Sequence, residues 1–598
     1  MYILGISCFF HDAAAALLKD GVLVAAAEEE RFTRIKHDFS FPVNAIEFCL
    51  RHEGISAHDV DYVVFFEKPL PKFERILLTT LQTFPRSYGV FREAMISWFS
   101  EKLWIRSLIL SKLPIAPERV LFVEHHLSHA ASAFFCSPFA EAAILTVDGV
   151  GEWTTTTLGR ATAAWNGQGE NRIELFSEIR FPHSLGLLYS AFTAFLGFQV
   201  NEGEYKVMGM APYGEPRFLD KVYKLIHVND DGSFHLNMDY FTYHYSTDRT
   251  FGPKFVQLFG EPRVPESEFV TRLTDPSVSG REPEVVRSQY YADVAASIQR
   301  VTEEVLLKMA RHLHERTGLK RLCMAGGVTL NSVANGRILR ETPFEEVYIQ
   351  PAAGDAGGAL GAALYAYHVL LKQPRDFVLQ HCYWGEDYAP AEMRAAIEKH
   401  GLRYQEVDDD ERLLDCLVDD LTAGKVIGWY QGRFEWGPRA LGNRSILADP
   451  RRGEMKQIVN SKIKFREPFR PFAPVVLEER TNDYFALQDP ARHYPARFML
   501  LVVPVHEDKW DVIPAVTHAG GTGRLQTVTR EQNPRYYRVV EKFGQATGVP
   551  VLMNTSFNLR GEPIVTTPAN ALNTFVKSGL DVLLMDHFLV RKDGRTPL

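Results

Sequence analysis

Ala142-Ala143-Ile144-Leu145-Thr146-Val147-Asp148-Gly149-Val150-Gly151 is an apolar run that stops at an acid set among small residues, and a β-prone run, Thr154 to Leu158, follows at once. The pattern predicts a buried strand, a turn carrying a carboxylate, and a returning strand. The N-terminus has the same design. Tyr2-Ile3-Leu4-Gly5-Ile6-Ser7 reads as a buried strand, His11-Asp12 follow, and Lys19-Asp20-Gly21 separates two apolar runs as a hairpin turn would. Two strand–turn–strand units, each with a polar group at its first turn, imply two related halves of an α/β fold enclosing a cleft.

His125 and His129, in His125-His126-Leu127-Ser128-His129, are four residues apart, so on a helix both imidazoles leave one face and can share an ion. Alone, such a pair is more often packing than chemistry. Two acids shift the balance: Asp148 ends the strand quoted above, and Asp355 lies in the turn Pro351-Ala352-Ala353-Gly354-Asp355-Ala356-Gly357-Gly358, where small residues permit close backbone approach. Two imidazoles with two carboxylates suit iron(II), manganese or zinc. Gln289 to Thr317 reads as a long helix leading into a strand and the turn Ala325-Gly326-Gly327-Val328-Thr329-Leu330-Asn331. Such a glycine turn before a helix lets nucleotide groups reach the backbone, although no P-loop motif occurs. Met208 to Gly214 is a turn-rich stretch whose role is to line the cleft, and 229–284 is an aromatic-rich insertion readable as a substrate cap or a surface excursion.

At 598 residues the chain exceeds a single core, and the boundary is expected near Lys372-Gln373-Pro374-Arg375, giving domains 1–373 and 374–598. The net charge of −8 argues against a nucleic-acid partner. Six scattered cysteines without a Cys-x-x-Cys pair fit a reducing, cytoplasmic setting. Met1 to Phe10 has no basic leader and does not read as a signal peptide, and the apolar stretch from Leu185 to Val200 is too short and polar to cross a bilayer. The second domain has a different chemistry. Arg433, Arg439, Arg444, Lys462, Lys464, Arg466, Arg470 and Arg524 are interleaved with Trp429, Trp436, Phe465, Phe469 and Phe472, beside the turn Asn554 to Asn558. Arginine forks among aromatics suit a small, partly buried phosphate ligand.

Together these segments resemble the O-carbamoyltransferases of the nodulation-factor and tobramycin type. The resemblance runs through Gly5-Ile6-Ser7 with His11-Asp12, Ala26 to Phe32, His125 to Ala130, Met208 to Gly214, Ala325 to Asn331, Gly437-Pro438-Arg439-Ala440-Leu441-Gly442, Phe469 to Ala473 and Asn554 to Asn558. It implies an N-terminal actin-like split ATPase (ASKHA) domain, in the variant used by the tRNA threonylcarbamoyl-transferase, and a C-terminal YrdC-like α/β domain. It further implies that carbamoyl phosphate and ATP (with magnesium) give carbamoyl adenylate in the second domain. The adenylate then passes through the interior to the first, where a small-molecule hydroxyl attacks it. By motif, His125, His129, Asp148 and Asp355 are the metal ligands, for iron(II); His11 is the base or acceptor-orienting group; and Lys36 contacts the adenylate. Asp12, Lys206, Gly209, Gly326, Gly327 and Asn331 are the nucleotide-binding set of the first domain. Arg439, Lys464, Arg470, Arg524 and Asn554 hold carbamoyl phosphate and nucleotide in the second. A homodimer is the default oligomer.

Three rivals are weaker. Hydrogenase-maturation carbamoyltransferases carry an acylphosphatase domain and Cys-x-x-Cys zinc modules ahead of the shared domains. A tRNA threonylcarbamoyl-type enzyme fits the acidic charge poorly. A non-catalytic nucleotide-binding protein of the ASKHA fold needs neither the His pair nor the arginine-rich domain. The acceptor stays open at this level.

Overall fold

The computed structural model describes residues 1–100, 102–165, 169–275 and 277–592. Pro276, inside the predicted insertion, and residues 593–598 lie outside the described residues. The chain packs as two units: Met1–Glu29 with Phe39–Leu379, and Glu30–Asp38 with Gln380–Leu598.

The first unit is built twice on one plan. Strands β1 (Tyr2–Ser7), β2 (Ala14–Lys19), β3 (Val22–Glu28), β4 (Tyr62–Phe65) and β5 (Val120–Phe122) form a sheet of order β3-β2-β1-β4-β5. Then β6 (Glu141–Val147), β7 (Thr154–Thr162) and β8 (Arg172–Arg180) follow, and a small ribbon, β9 (Ile226–Val228) with β10 (Phe234–Leu236), stands apart. Strands β11 (Arg321–Ala325) and β12 (Glu346–Ile349) complete a second sheet of order β12-β11-β6-β7-β8. In each sheet the first three strands in sequence pair antiparallel, the fourth adds in parallel to the first, and the fifth adds in parallel to the fourth. This duplication is the arrangement anticipated from the two strand–turn–strand units. Because β1 and β6 are central, their burial is nearly complete, and the turns at their C-terminal ends open on the same kind of crevice in both halves.

The long helix runs from Glu282 to Thr317, earlier at its start than the sequence indicates, and a left-handed Gly318 ends it. The insertion is no loose excursion. Phe255 and Phe259, on a short helix within it, are fully buried against Phe192 and Phe195, and the Tyr243 hydroxyl donates to the Pro182 carbonyl at 2.7 Å.

The Asp355–Tyr365 helix, Asp-Ala-Gly-Gly-Ala-Leu-Gly-Ala-Ala-Leu-Tyr, is made of small residues because it is wedged on both sides. A Cβ at Gly361 would sit 1.8 Å from the Ser128 carbonyl oxygen of the His125–Phe134 helix.

In the second unit β13 (Tyr404–Glu406), β14 (Ile427–Tyr430), β15 (Arg444–Ala448), β16 (Ala473–Leu477), β17 (Leu501–Pro504), β18 (Thr522–Val528), β19 (Val551–Ser556), β20 (Val582–Met585) and β21 (Phe588–Arg591) make one sheet. Its order is β13-β21-β20-β14-β15-β19-β16-β18-β17. Trp429, Leu447, Val475, Tyr536, Phe543 and Leu584 fill the core between it and the Asp410–Thr422 and Pro534–Thr547 helices. All six cysteines are free thiols. No described helix is long and apolar enough to cross a membrane.

Gly361→Ala is expected to cost about 1–3 kcal/mol, since the methyl must displace a backbone carbonyl held in a helix rather than a movable side chain. A lowered urea midpoint at constant m-value would register it.

Candidate functional site

Helix geometry and two turns bring the four predicted ligands together. His125 and His129 project from one face of the His125–Phe134 helix, Asp148 follows β6, and Asp355 opens the helix after β12. His125 Nε2 lies 3.1 Å from Asp148 Oδ2, 3.0 Å from His129 Nε2 and 3.7 Å from Asp355 Oδ1. His129 Nε2 is 3.9 Å from Asp148 Oδ2 and 3.8 Å from Asp355 Oδ1. One ligand atom from each residue falls within 4.8 Å of all the others, and all four residues are buried.

The electrostatics suit a cation. Burial, with the neighbouring His129, pushes His125 down to about 3, so its imidazole is neutral and ready to coordinate. Burial pushes the Asp355 carboxyl up to about 6. Both of its oxygens lack a hydrogen-bond partner among the described residues, the mark of a group whose counter-charge comes from elsewhere. Burial also opposes ionisation of Asp148, but hydrogen bonds and charge from the two imidazoles outweigh it and hold that carboxyl well below the usual range. His125 Nδ1 and His129 Nδ1 have no acceptor among the described residues, so these rings are oriented by packing, with Phe66 lying 5.4 Å from His125 centroid to centroid.

His126 is excluded from the cluster: its Nδ1 meets Thr146 Oγ1 at 2.6 Å and its Nε2 meets the Thr154 carbonyl at 2.9 Å. Two supports escaped the sequence reading. Glu152 accepts the backbone N–H groups of His125, at 3.1 Å, and Lys68, at 2.8 Å, and so caps the ligand helix. Gly327 N donates to Asp148 Oδ1 at 2.7 Å. That bond needs the chain to come flush against β6. Gly326 takes φ 99°, and a Cβ there would meet the Val147 carbonyl oxygen at 2.3 Å.

Of the remaining predicted residues of the first unit, His11 and Asp12 lie beside this centre. His11 Nε2 stands 4.0 Å from Asp355 Oδ2 and its Nδ1 is 3.0 Å from Asp12 Oδ2. Burial lowers its proton affinity, but the charges of Asp355 and Asp12 more than reverse this and raise it to about 10. Asn331 caps the Ser332–Glu341 helix through Ala334 N at 3.2 Å and exchanges hydrogen bonds with Gln299 at 3.0 Å. Lys206 and Gly209 share the Glu204–Met210 helix, which touches the same region where Ser332 Oγ donates to Met208 Sδ at 3.8 Å.

Lys36 falls in the Glu30–Asp38 segment and therefore packs with the second unit, not the first. There it is among the charges felt by Lys464, as are Arg466 and Arg470. Arg31 Nη2, from the same segment, donates to the Gly437 carbonyl at 2.7 Å, at the start of the loop that carries Arg439. Glu435 Oε1 holds the other end, accepting from the backbone N–H groups of Leu441 and Asn443, both at 2.8 Å, and Arg444 at 3.1 Å. Glu435 escaped the sequence reading, and a carboxylate set between two large aromatics, Phe434 and Trp436, is the signal that could have marked it. Asn554 Nδ2 donates to Gln526 Oε1 at 2.6 Å, which ties β19 to the strand of Arg524, and Arg470 Nη1 lies 3.4 Å from Glu467. Lys464 is buried and its ammonium is spent on the Ser556–Asn558 turn, with Asn558 Oδ1 at 2.7 Å and the Asn558 carbonyl at 3.0 Å. Burial, with Arg466 and Arg470 beside it, drives its proton affinity well below the lysine norm.

The ligand set predicts a pH dependence. Asp355 must shed a proton to coordinate, so affinity for iron(II) or zinc should fall about tenfold per pH unit below about 6. Asp355→Asn should flatten that slope as it weakens binding, read by competition with a chromophoric chelator.

Family models match in two blocks, the carbamoyltransferase N-terminus over residues 2–364 and the carbamoyltransferase C-terminus over 418–592. An uncharacterized protein of Synechocystis is 47% identical over 99% of this chain and 97% of its own length. The nodulation protein NolNO of Sinorhizobium fredii is 37% identical over 98% of this chain and 80% of its own. Among solved structures, component A of the Acidaminococcus fermentans (R)-2-hydroxyglutaryl-CoA dehydratase gives a TM-score of 0.31 at 16% identity, covering 61% of this chain and 98% of that one. HypF of T. kodakarensis gives 0.29 at 12% identity, covering 63% and 48%. The resemblance drawn from the motifs is thus borne out by sequence: the chain belongs to the carbamoyltransferase family, with relatives of the nodulation type, and is a transferase enzyme.

Proposed function

We propose that this carbamoyltransferase uses carbamoyl phosphate and ATP to carbamoylate a hydroxyl group of a small molecule, in two stages housed in its two units. The observation that carries the reading is the buried His125–His129–Asp148–Asp355 cluster, whose Asp355 carboxylate has no hydrogen-bond donor among the described residues. The four residues fit a first-row divalent ion, and iron(II) is the proposed occupant. When bound, it would supply a Lewis acid beside the reacting carbamoyl group.

In the second unit, proposed to be YrdC-like, the arginines do the electrostatic work. Water cleaves the carbamoyl phosphate to carbamate and phosphate; a carbamate oxygen then attacks the α-phosphorus of ATP, whose magnesium-bound pyrophosphate leaves. Arg439, Arg470 and Arg524 neutralise the phosphate charge, and Glu435 and Arg31 hold the loop that presents Arg439. Lys464 holds the Ser556–Asn558 turn in shape, and Asn554 ties β19 to the strand of Arg524. Lys36, grouped with this unit, contacts the adenylate.

In the first unit the acceptor hydroxyl attacks the carbamoyl carbon and AMP departs. Asp12, Lys206, Gly209, Gly326, Gly327 and Asn331 are the proposed nucleotide contacts. His11 orients the acceptor. Its raised proton affinity makes it a hydrogen-bond donor while Asp355 is unneutralised, and it becomes a base only when a cation takes up that charge.

The purified chain, given carbamoyl phosphate and ATP, should release pyrophosphate, and absence of that product would refute the adenylate route. Arg470→Ala should slow its release by about 10²-fold or more while metal stays bound. His129→Ala should abolish transfer yet spare pyrophosphate release, and equal loss of both activities would refute the division of labour.

A further inference from the structure

The Pro69–Gln82 helix is amphipathic in the wrong sense. Leu70 and Leu81 are 71% and 59% exposed, whereas Lys72 and Arg75 are each 7% exposed. A helix that turns cations inward and leucines outward faces something polar inside.

Lys72 is accounted for. Its ammonium lies 2.5 Å from Glu67 Oε2 and 5.2 Å from the Phe10 ring, next to His11, and its charge is felt at Asp355. It therefore marks the rim of the metal cluster. Arg75 is not accounted for. Its guanidinium lies over the Phe181 ring at 4.9 Å, its Nε is buried, and among the described residues no acceptor hydrogen-bonds it and no carboxylate comes within 4.0 Å. The acids whose charge it feels, Glu67 and Glu152, are committed to Lys72 and to the Lys68 and His125 backbone. Burial pushes its proton affinity down to about 10, so it remains a cation at neutral pH. An unpaired buried cation is costly, and one that persists next to a reaction centre is suited to an anion that comes and goes.

We propose that Arg75 is a specificity-determining residue of the acceptor site, and that the hydroxyl acceptor carries an anionic group, a carboxylate or a phosphate, which this guanidinium receives in a bidentate grip. The inference rests on the transfer reaction proposed above and adds the chemical class of its acceptor. Spacing supports it. Arg75 stands about one helical turn from Lys72 on the same buried face of the helix, and Lys72 is felt at Asp355, so the guanidinium belongs to the side of the helix that borders the cluster. Phe181, beneath the guanidinium at 4.9 Å, holds its plane in place for such a grip.

The test uses the full-length chain and four probes: glucose, glucuronate, glucose 6-phosphate and AMP, titrated calorimetrically. At least one of the two sugar anions should bind about tenfold or more tightly than glucose, the gain of a charge-assisted contact, and the better of the two identifies the group. Arg75→Gln should erase the preference and Arg75→Lys should keep part of it. Because the cation is unpaired, Arg75→Gln should leave Tm unchanged or raised. Equal binding of the three sugars, no binding of any at millimolar concentration, or a preference that survives in Arg75→Gln overturns the proposal. A clear fall in Tm also overturns it, since Arg75 would then be a structural cation. AMP binding that weakens tenfold in Arg75→Gln would assign the residue to the nucleotide and overturn it as well. Pyrophosphate release by the same preparation separates the two readings: lost anion preference with pyrophosphate intact defeats this inference alone.

Discussion

A carboxylate with no hydrogen-bond donor among the described residues, sealed in the protein interior, is the constraint around which the first unit is arranged. Burying an uncompensated charge costs several kcal/mol, so Asp355 either keeps a proton or faces a cation. The cost is incurred by design of the backbone. Gly5 on one side and Gly361 on the other allow the helix that starts at Asp355 to lie directly against β1 and the His125–Phe134 helix, because a Cβ at either glycine would collide with a carbonyl oxygen. The same closeness that excludes water from Asp355 delivers it to two imidazoles. Packing and chemistry are one requirement here: a looser helix pair would hydrate the carboxylate and scatter the ligand atoms.

The partners of Asp355 differ because their surroundings differ. Asp148 has the Gly327 N–H at 2.7 Å and an imidazole at 3.1 Å, and these keep it ionised despite equal burial. Glu152 sits a few residues on and is occupied with capping a helix. Three acids within one crevice therefore do three jobs, set by what donates to each of them. The second unit buries cations as well as acids, and backbone carbonyls compensate them: Arg444 Nη1 donates to the Gln431 carbonyl at 2.6 Å and the Gly432 carbonyl at 2.9 Å.

The features legible in the sequence were those whose signal is local. The His125–His129 spacing, the acid that ends the β6 run, the Gly-Asp-Ala-Gly turn at Asp355 and the Lys19-Asp20-Gly21 hairpin each lie within about ten residues, where helical or strand period governs side-chain direction. The two sheets repeat one order because the strand–turn–strand pattern repeats. What stayed hidden depends on partners far away along the chain. Glu152 is an ordinary acid until Lys68 and His125 bring their N–H groups to it. Glu30–Asp38 carries no local sign that it packs with residues four hundred positions downstream, such as Gly437. Lys464 reads as a phosphate ligand by composition, and only the Ser556–Asn558 turn shows where its protons go.

His11 shows why the charge on Asp355 matters beyond binding. The imidazole is drawn toward protonation by the very acid that the cluster needs ionised, and Asp12 reinforces the pull through a 3.0 Å contact. A cation held by the four ligands would cancel most of Asp355's field at His11, leaving Asp12 to fix the ring and freeing the other nitrogen to exchange a proton. The same cation would relieve Asp355 of its own burial penalty. On the proposed reading, loading the site and arming His11 would be a single electrostatic event, because one carboxylate, Asp355, faces both the cluster and His11.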